Sequence, residues 1–303
     1  MSNTLRGVWT AALTPQNQDL SVNLEHLVAH YRWLLAGGSD GIAVLGTTGE
    51  ANSFSVAERR AVIGRVAEAG FANDEIMIGT GCCAFPDTVE LTRAALDAGY
   101  ANILMLPPFY YKGVSDDGLF AAYANVIERV ADSSMRIYVY DFPKMTGLEI
   151  DADLLVRLHD AFPDTIVGIK DSSGRWPDMK EVAERIPGFG TFAGTEQYLL
   201  PVLRAGGAGC ISATANVTCG IAAALYRAWK SDEADALQER VSQVRATLEA
   251  YPTVPALKEL MAAHTGRAGW RQARPPMVPL SAEAREALFR DLEAIGFVLP
   301  EAA

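Results

Sequence analysis

Short, almost wholly apolar runs alternate eight times with longer segments of helical period along this chain. The runs are 7–13 (GVWTAAL), 41–46 (GIAVLG), 76–81 (IMIGTG), 102–107 (NILMLP), 136–142 (RIYVYDF), 166–170 (IVGIK), 190–194 (GTFAG) and 209–214 (GCISAT). Near-continuous apolarity, rather than in/out alternation, is what parallel strands covered on both faces require. Between them, 23–36, 55–69, 86–98, 116–131, 151–160, 176–185, 197–205 and 218–230 carry the spacing of amphipathic helices. Ser55 with Glu58 forms a capping-box signature, and Asp151 or Ala152 opens the helix at 151–160. Glycines at 36–38, 69–70 and 205–207 supply helix stops, each followed by a strand. Eight βα units without a long interruption predict a closed (β/α)8 TIM barrel over residues 1–231. Segments 233–250, 255–265 and 281–296 predict about three further helices, a C-terminal extension over 232–303 that packs outside the barrel or builds a subunit interface. A doubly wound open sheet is the alternative, but the glycine fingerprint of a nucleotide-binding sheet is missing.

A length of 303 residues exceeds that of an average domain, and a single barrel core accounts for it. Half of the residues are hydrophobic, which is enough to fill such a core and excludes a disordered chain. The formal charge of −11 repels nucleic-acid phosphates and anionic lipid, so neither nucleic acid nor a membrane is an expected partner. The amino terminus has no apolar run of signal-peptide length, and no stretch reaches the ~20 apolar residues that span a bilayer, so the expected location is cytoplasmic. Cys82, Cys83, Cys210 and Cys219 have no zinc or redox spacing and read as reduced thiols. His26 and His30 share a helix face, yet the third ligand and the glutamate of a metalloprotease helix are absent, so an ordinary helix surface is expected and no metal.

In a parallel barrel the chemistry gathers at the carboxyl ends of the strands. Those ends read GTTGE (46–50), PPFYYK (107–112), YDFPKMTG (140–147), IKDSSG (169–174), GTE (194–196) and SATANV (212–217). Lys170 closes an apolar strand, where desolvation favours the neutral amine that attacks a carbonyl. Such an amine forms a Schiff base, whose electron pull yields an enamine; the competing reading is a lysine that reaches solvent past the strand end. Tyr140, ending the preceding strand, is placed to move protons to and from the intermediate, or else simply fills the mouth. Thr47 and Thr48, between Gly46 and Gly49, can turn backbone N–H groups toward a carboxylate while a hydroxyl relays protons; a plain glycine-rich turn would look alike.

Taken together, GTTGE, PPFYYK, the Y-x-x-P-x-x-T-G form of YDFPKMTG, GIKDSSG and GCISATANV resemble the lysine-dependent class I pyruvate aldolases. That family includes dihydrodipicolinate synthase, N-acetylneuraminate lyase and 2-keto-3-deoxygluconate aldolase. The motifs follow the family order from residue 7 to about 220, and RPPMVPLS resembles its helical carboxyl-terminal part. The resemblance implies Lys170 as the imine-forming residue, Tyr140 as proton shuttle, and Thr47 and Thr48 as carboxylate-binding and relay positions. It further implies Tyr110 as a tyrosine inserted from a neighbouring subunit of a homotetramer built as a dimer of dimers. Gly194 and Ile211 correspond to the lining of the pyruvate subsite. No cofactor beyond the covalent imine is implied, and the partners are pyruvate and a small aldehyde or 2-oxo acid.

The far end of the substrate decides between members. The synthase branch carries arginine in Y-N-x-P-x-R-T; here Met145 stands there, and Asp141 replaces the asparagine. Methionine cannot make the bidentate carboxylate pair, worth about 1.5–3 kcal/mol as charged hydrogen bonds. FYY resembles the loop of the lyase and the deoxygluconate aldolase more than the synthase's shorter YYN, and Ser172 and Glu196 match positions where sugar-cleaving members contact hydroxyls, whereas ISATANV is at least as close to the synthase pattern. Lys144 reads as a solvent-facing loop lysine or as a contact to a distal anion. The leading expectation is reversible aldol cleavage of a 2-keto-3-deoxy sugar acid or related 2-oxo acid. Condensation of pyruvate with aspartate semialdehyde and dehydration of a 2-keto-3-deoxy acid are the alternatives. A non-catalytic sensor on the same scaffold would have lost Lys170 or Tyr140, and both are present.

Overall fold

The computed structural model describes residues 4–299. Eight parallel strands close into a barrel in sequence order, with β8 hydrogen-bonded back to β1. They are β1 (Gly7–Ala11), β2 (Gly41–Val44), β3 (Ile76–Gly79), β4 (Asn102–Met105), β5 (Arg136–Asp141), β6 (Ile166–Asp171), β7 (Gly190–Ala193) and β8 (Gly209–Ser212). Around them run α1 (Leu24–Ala36), α2 (Val56–Glu68), α3 (Phe85–Asp97), α4 (Asp116–Val130), the single turn α5 (Pro143–Thr146), α6 (Ala152–Ala161), α7 (Trp176–Arg185), α8 (Leu199–Arg204) and α9 (Ala215–Ala228). Strand ends fall within two residues of the sequence expectation, usually earlier, because the apolar run continues after the ladder stops and the chain turns into the mouth.

The capping box at Ser55 and Glu58 is formed in both directions, and Asp151 accepts from the Leu154 N–H. Gly38, Gly70 and Gly206 take the left-handed backbone that stops α1, α2 and α8. Within the barrel, large rings face glycines. A Cβ at Gly41 would lie 2.4 Å from the Trp9 ring, and one at Gly168 2.3 Å from the Tyr138 ring. Trp9, Tyr138 and Phe192, none more than 1% exposed, thereby fill the lower barrel, and the Leu5 N–H donates to the Tyr138 hydroxyl from beneath at 2.8 Å.

Helices α10 (Ala234–Glu249), α11 (Thr253–Thr265) and α12 (Ala282–Ala294) form the extension. Their apolar faces share one core with Leu13 and Val217 of the barrel, so buried contacts run across the turn at 229–233. This packing corrects the surface expectation for His30, which is 3% exposed against Trp270 of the extension (ring centroids 5.0 Å) and bonded through Nε2 to Asn216 Oδ1 at 2.8 Å. Burial pulls its imidazole down to about 4, so the ring is neutral near pH 7. Among the described residues, no helix is long and apolar enough to cross a membrane.

Candidate active site

Period-two alternation sends Tyr138, Tyr140 and Lys170 into the barrel and Asp141 and Asp171 to the outside. Tyr140 and Lys170 are direct partners across β5 and β6, which lie side by side at the carboxyl end of the barrel. Both are 3% exposed, and the Lys170 ammonium nitrogen sits 4.3 Å from the centre of the Tyr140 ring. Phe142 stacks on the phenol ring with centroids 5.7 Å apart. Among the described residues, no carboxylate forms an ion pair with Lys170. The lysine is therefore held by an aromatic face in an apolar layer with Ile211, Leu104 and Ala11 near Tyr140.

The opposite wall is the loop after β2. Leu45 and Glu50 both have left-handed backbone, at φ 59° and 58°, an uncommon conformation for residues with a Cβ. It folds the loop back so that Glu50 N–H donates to Thr47 O and Ala51 N–H to Gly46 O. Among the described residues, no protein acceptor takes the N–H of Thr47 or Thr48. Thr47 lines a narrow recess with Leu45, Gly46, Leu104, Leu106 and Tyr140, whereas Thr48 is buried. A larger surface cleft, about 570 Å³, lies on the outer helices between Arg60, Phe85, Arg93 and Arg129. It contains neither Lys170 nor Tyr140, so chemistry places the site at the barrel mouth.

Gly194 and Ser172 meet beside Lys170, for a Cβ at Gly194 would fall 2.1 Å from Ser172 Oγ. Ile211 is fully buried in the layer beneath. Tyr110 and Tyr111, 74% and 75% exposed, stand edge to face on the loop after β4, and Met145 is 58% exposed on α5. The Lys112 ammonium ties that loop to α5 through the carbonyls of Phe109 and Thr146.

Glu196 corrects the expectation of a hydroxyl-binding carboxylate. Its side chain is wholly buried, and its oxygens accept from Ser212, from Thr214 at 2.7 Å and from Thr218 at 2.8 Å. Arg245 of α10 adds a cation at 3.5 Å. Every acceptor direction is met from within the protein, so this carboxylate joins the ends of β7 and β8 to α9 and α10 instead of facing the mouth.

Sequence patterns also passed over the anchor of the threonine loop. The Glu50 carboxylate pairs with the Lys258 ammonium of α11, both side chains fully buried, and accepts from the Arg274 N–H at 2.9 Å. Burial pulls the Lys258 ammonium below its ordinary value, while Glu50 opposes that shift. Arg274 continues the clamp to the carbonyls of Leu20 and Ser53 and to Glu58.

A buried lysine thus lies over a tyrosine ring and faces a strained loop in which, among the described residues, the Thr47 and Thr48 N–H groups have no protein acceptor. The profile of the dihydrodipicolinate synthetase family matches residues 4–295. The chain belongs to that family. It is 34% identical to an uncharacterized DapA-like lyase of Chloroflexus aurantiacus over 96% of this chain and 97% of that one. The crystal structure of dihydrodipicolinate synthase from Agrobacterium tumefaciens superimposes with a TM-score of 0.88 at 33% identity, covering 95% and 99% of the two chains. YagE of Escherichia coli K12, solved in complex with pyruvate, gives 0.89 at 25% identity over 97% and 99%. Members are class I pyruvate-dependent lyases and aldolases, and this chain is an enzyme of that class.

Proposed function

We propose that the enzyme cleaves a 2-keto-3-deoxy sugar acid or a related 2-oxo acid reversibly to pyruvate and an aldehyde. The observation that carries this reading is Lys170 Nζ at 4.3 Å from the Tyr140 ring, with both residues 3% exposed at the carboxyl end of the barrel. The Lys170 amine adds to the keto carbon, and loss of water leaves an iminium. The N–H groups of Thr47 and Thr48 hold the adjacent carboxylate, with Gly194 giving room beside Ser172. The Tyr140 oxygen accepts the proton of the C4 hydroxyl as the C3–C4 bond breaks. Its electron pair passes to the iminium nitrogen, the aldehyde leaves, and the enamine takes a proton at C3 before water releases pyruvate. The Thr47 hydroxyl and Tyr110 of a neighbouring copy extend the proton relay, which gives the exposed Tyr110 a partner in a homotetramer arranged as a dimer of dimers. The cycle draws on no metal or organic cofactor.

Met145 supports the sugar-acid assignment, since it offers a distal carboxylate no charged donor. Ser172 is left to bind hydroxyls, and Glu196 is withdrawn from that role because its oxygens are already filled. Condensation of pyruvate with aspartate semialdehyde is the second reading, favoured by the full-length likeness to the Agrobacterium synthase. Dehydration of a 2-keto-3-deoxy acid would proceed through the same imine.

Borohydride trapping, read by intact-protein and peptide mass spectrometry, tests the assignment. Pyruvate is expected to leave a reduced adduct on Lys170 that Lys170→Ala abolishes. Among a panel of 2-keto-3-deoxy acids and aldehydes, the acids should be cleaved. An adduct that persists in Lys170→Ala would sink the mechanism, and faster turnover with aspartate semialdehyde than with any sugar acid would reverse the substrate order.

A further inference from the structure

Immediately after the two reacting side chains, the sequence places two aspartates, and the barrel register sets them side by side. Asp141 follows Tyr140 on β5, Asp171 follows Lys170 on β6, and the two are Cα partners. Alternation turns both outward, into the layer between strands and helices, where they are 2% and 3% exposed. Asp141 accepts one bond, from the Ile150 N–H at 3.1 Å, and Asp171 accepts from the Ser173 N–H at 2.8 Å and from the Ser173 hydroxyl.

Other groups around the pair do little to compensate two negative charges. Tyr123 of α4 is neutral, while Glu149 after α5 and Asp178 of α7 add negative charge. Among the described residues the cation acting on the pair is Arg175 at the start of α7, which is bonded to Asp178 and to Glu149, the latter at 2.9 Å. Two carboxylates that share a dry site without a cation of their own cannot both ionise freely. Burial first, and the Asp171 charge second, push the Asp141 carboxyl up to about 7. Burial also raises Asp171.

The same two residues fasten the mouth. Ser172 N–H donates to the Asp141 carbonyl at 2.8 Å and Gly194 N–H to the Asp171 carbonyl at 2.6 Å, so the spacing of β5, β6 and β7 beside the reacting groups is fixed through them. We infer that Asp141 and Asp171 form a carboxyl pair holding one proton that positions Tyr140 against Lys170, and that loss of this proton spreads the strand ends and slows imine formation. Neither aspartate touches substrate; both act through the residues that precede them. The inference rests on Lys170 as the imine-forming residue.

The sign follows from linkage. Asp141 is raised in the folded protein, so the fold binds more protons than the unfolded chain between about pH 4 and about 7. Stability therefore falls across that window as pH rises and is level above it. Asp141→Asn keeps an acceptor for Ile150 and offers Asp171 the donor that a protonated aspartate would supply.

The test measures the initial rate of pyruvate trapping by borohydride in wild type, Asp141→Asn and Asp171→Asn from about pH 5.5 to about 8.5, with thermal midpoints on the same samples. Because Lys170 is common to all three, the ratio of variant to wild type isolates the pair. A ratio near one at the acid end that climbs severalfold by the alkaline end, with a midpoint that no longer falls with pH in Asp141→Asn, is the expected result. A ratio flat across the range, or a midpoint profile unchanged from wild type, overturns the pair. Absence of any Lys170 adduct in wild type would instead strike the imine reading, while the midpoint profiles would still decide the fate of the proton. Should Asp141→Asn fail to fold, Asp171→Asn removes the same repulsion from the other strand and must give the same flattening.

Discussion

The two ends of the barrel are built from the same strands by opposite rules. At the amino-terminal end, Trp9 lies over Gly41 and Tyr138 over Gly168 and Gly190, Phe192 packs edge-on against Tyr138, and the opening is filled with ring carbon. At the carboxyl-terminal end the same strands present Lys170 and Tyr140, a loop with two left-handed non-glycine residues, and tyrosines three-quarters exposed. Four steps along β6 lead from Ile166, buried in the outer apolar core, to Lys170 beside Tyr140. Packing fills the amino-terminal end, and the polar and strained groups are concentrated at the carboxyl-terminal end, where barrels of this kind carry their chemistry.

Breaking either end tests that separation. Tyr140→Phe removes the phenol oxygen and keeps the ring over Lys170, so turnover should fall by ~10²–10⁴-fold while the thermal midpoint stays put. Steady-state kinetics alongside calorimetry checks it, and a large loss of stability would show that the mouth is also a packing device.

Glu50→Gln is the variant most able to blur the contrast, because it sits at the mouth but leaves the Lys258 ammonium buried without its counter-charge. A loss of about 3–5 kcal/mol in urea unfolding, with a raised KM for pyruvate from displacement of the threonine loop, is expected. Full retention of stability would mean that water reaches Lys258.

Gly168→Ala attacks the closed end, where the new methyl would meet the Tyr138 ring at 2.3 Å and the Gly190 carbonyl at 2.7 Å. It should destabilise by about 1–3 kcal/mol and leave imine trapping intact in the folded fraction. Loss of trapping in a folded variant would show that the two ends are mechanically coupled.

Those contrasts also explain what could be read in advance. Strand ends fell within two residues because doubly covered parallel strands are apolar at nearly every position, and Lys170, Tyr140 and Thr47 were visible as polar residues that interrupt or follow such runs. The turn α5 was missed, being four residues long with Pro143 at its start, too short to show a period. Glu196 was misread for a different reason. Its partners Ser212, Thr214, Thr218 and Arg245 lie 16 to 49 residues away, on β8, α9, α10 and the turn between the first two, and no local pattern announces that they converge. His30, beside a tryptophan 240 positions later, and Glu50, paired with Lys258, were hidden in the same way. Local pattern reports what a segment is; it is silent on which distant segment will cover it.

The clamp on Glu50 sets an order of events during synthesis. Arg274 is separated from Glu50 by 224 residues. At ~5–20 residues per second, the ribosome needs roughly ten to forty-five seconds after making the threonine loop before it delivers the residue that fastens it. Throughout that interval the nascent chain can close strands and stack helices, yet the threonine loop lacks its last anchor. The threonine loop is thus fastened only once Arg274 has been made, and a product released before it would own a barrel without this clamp at its mouth.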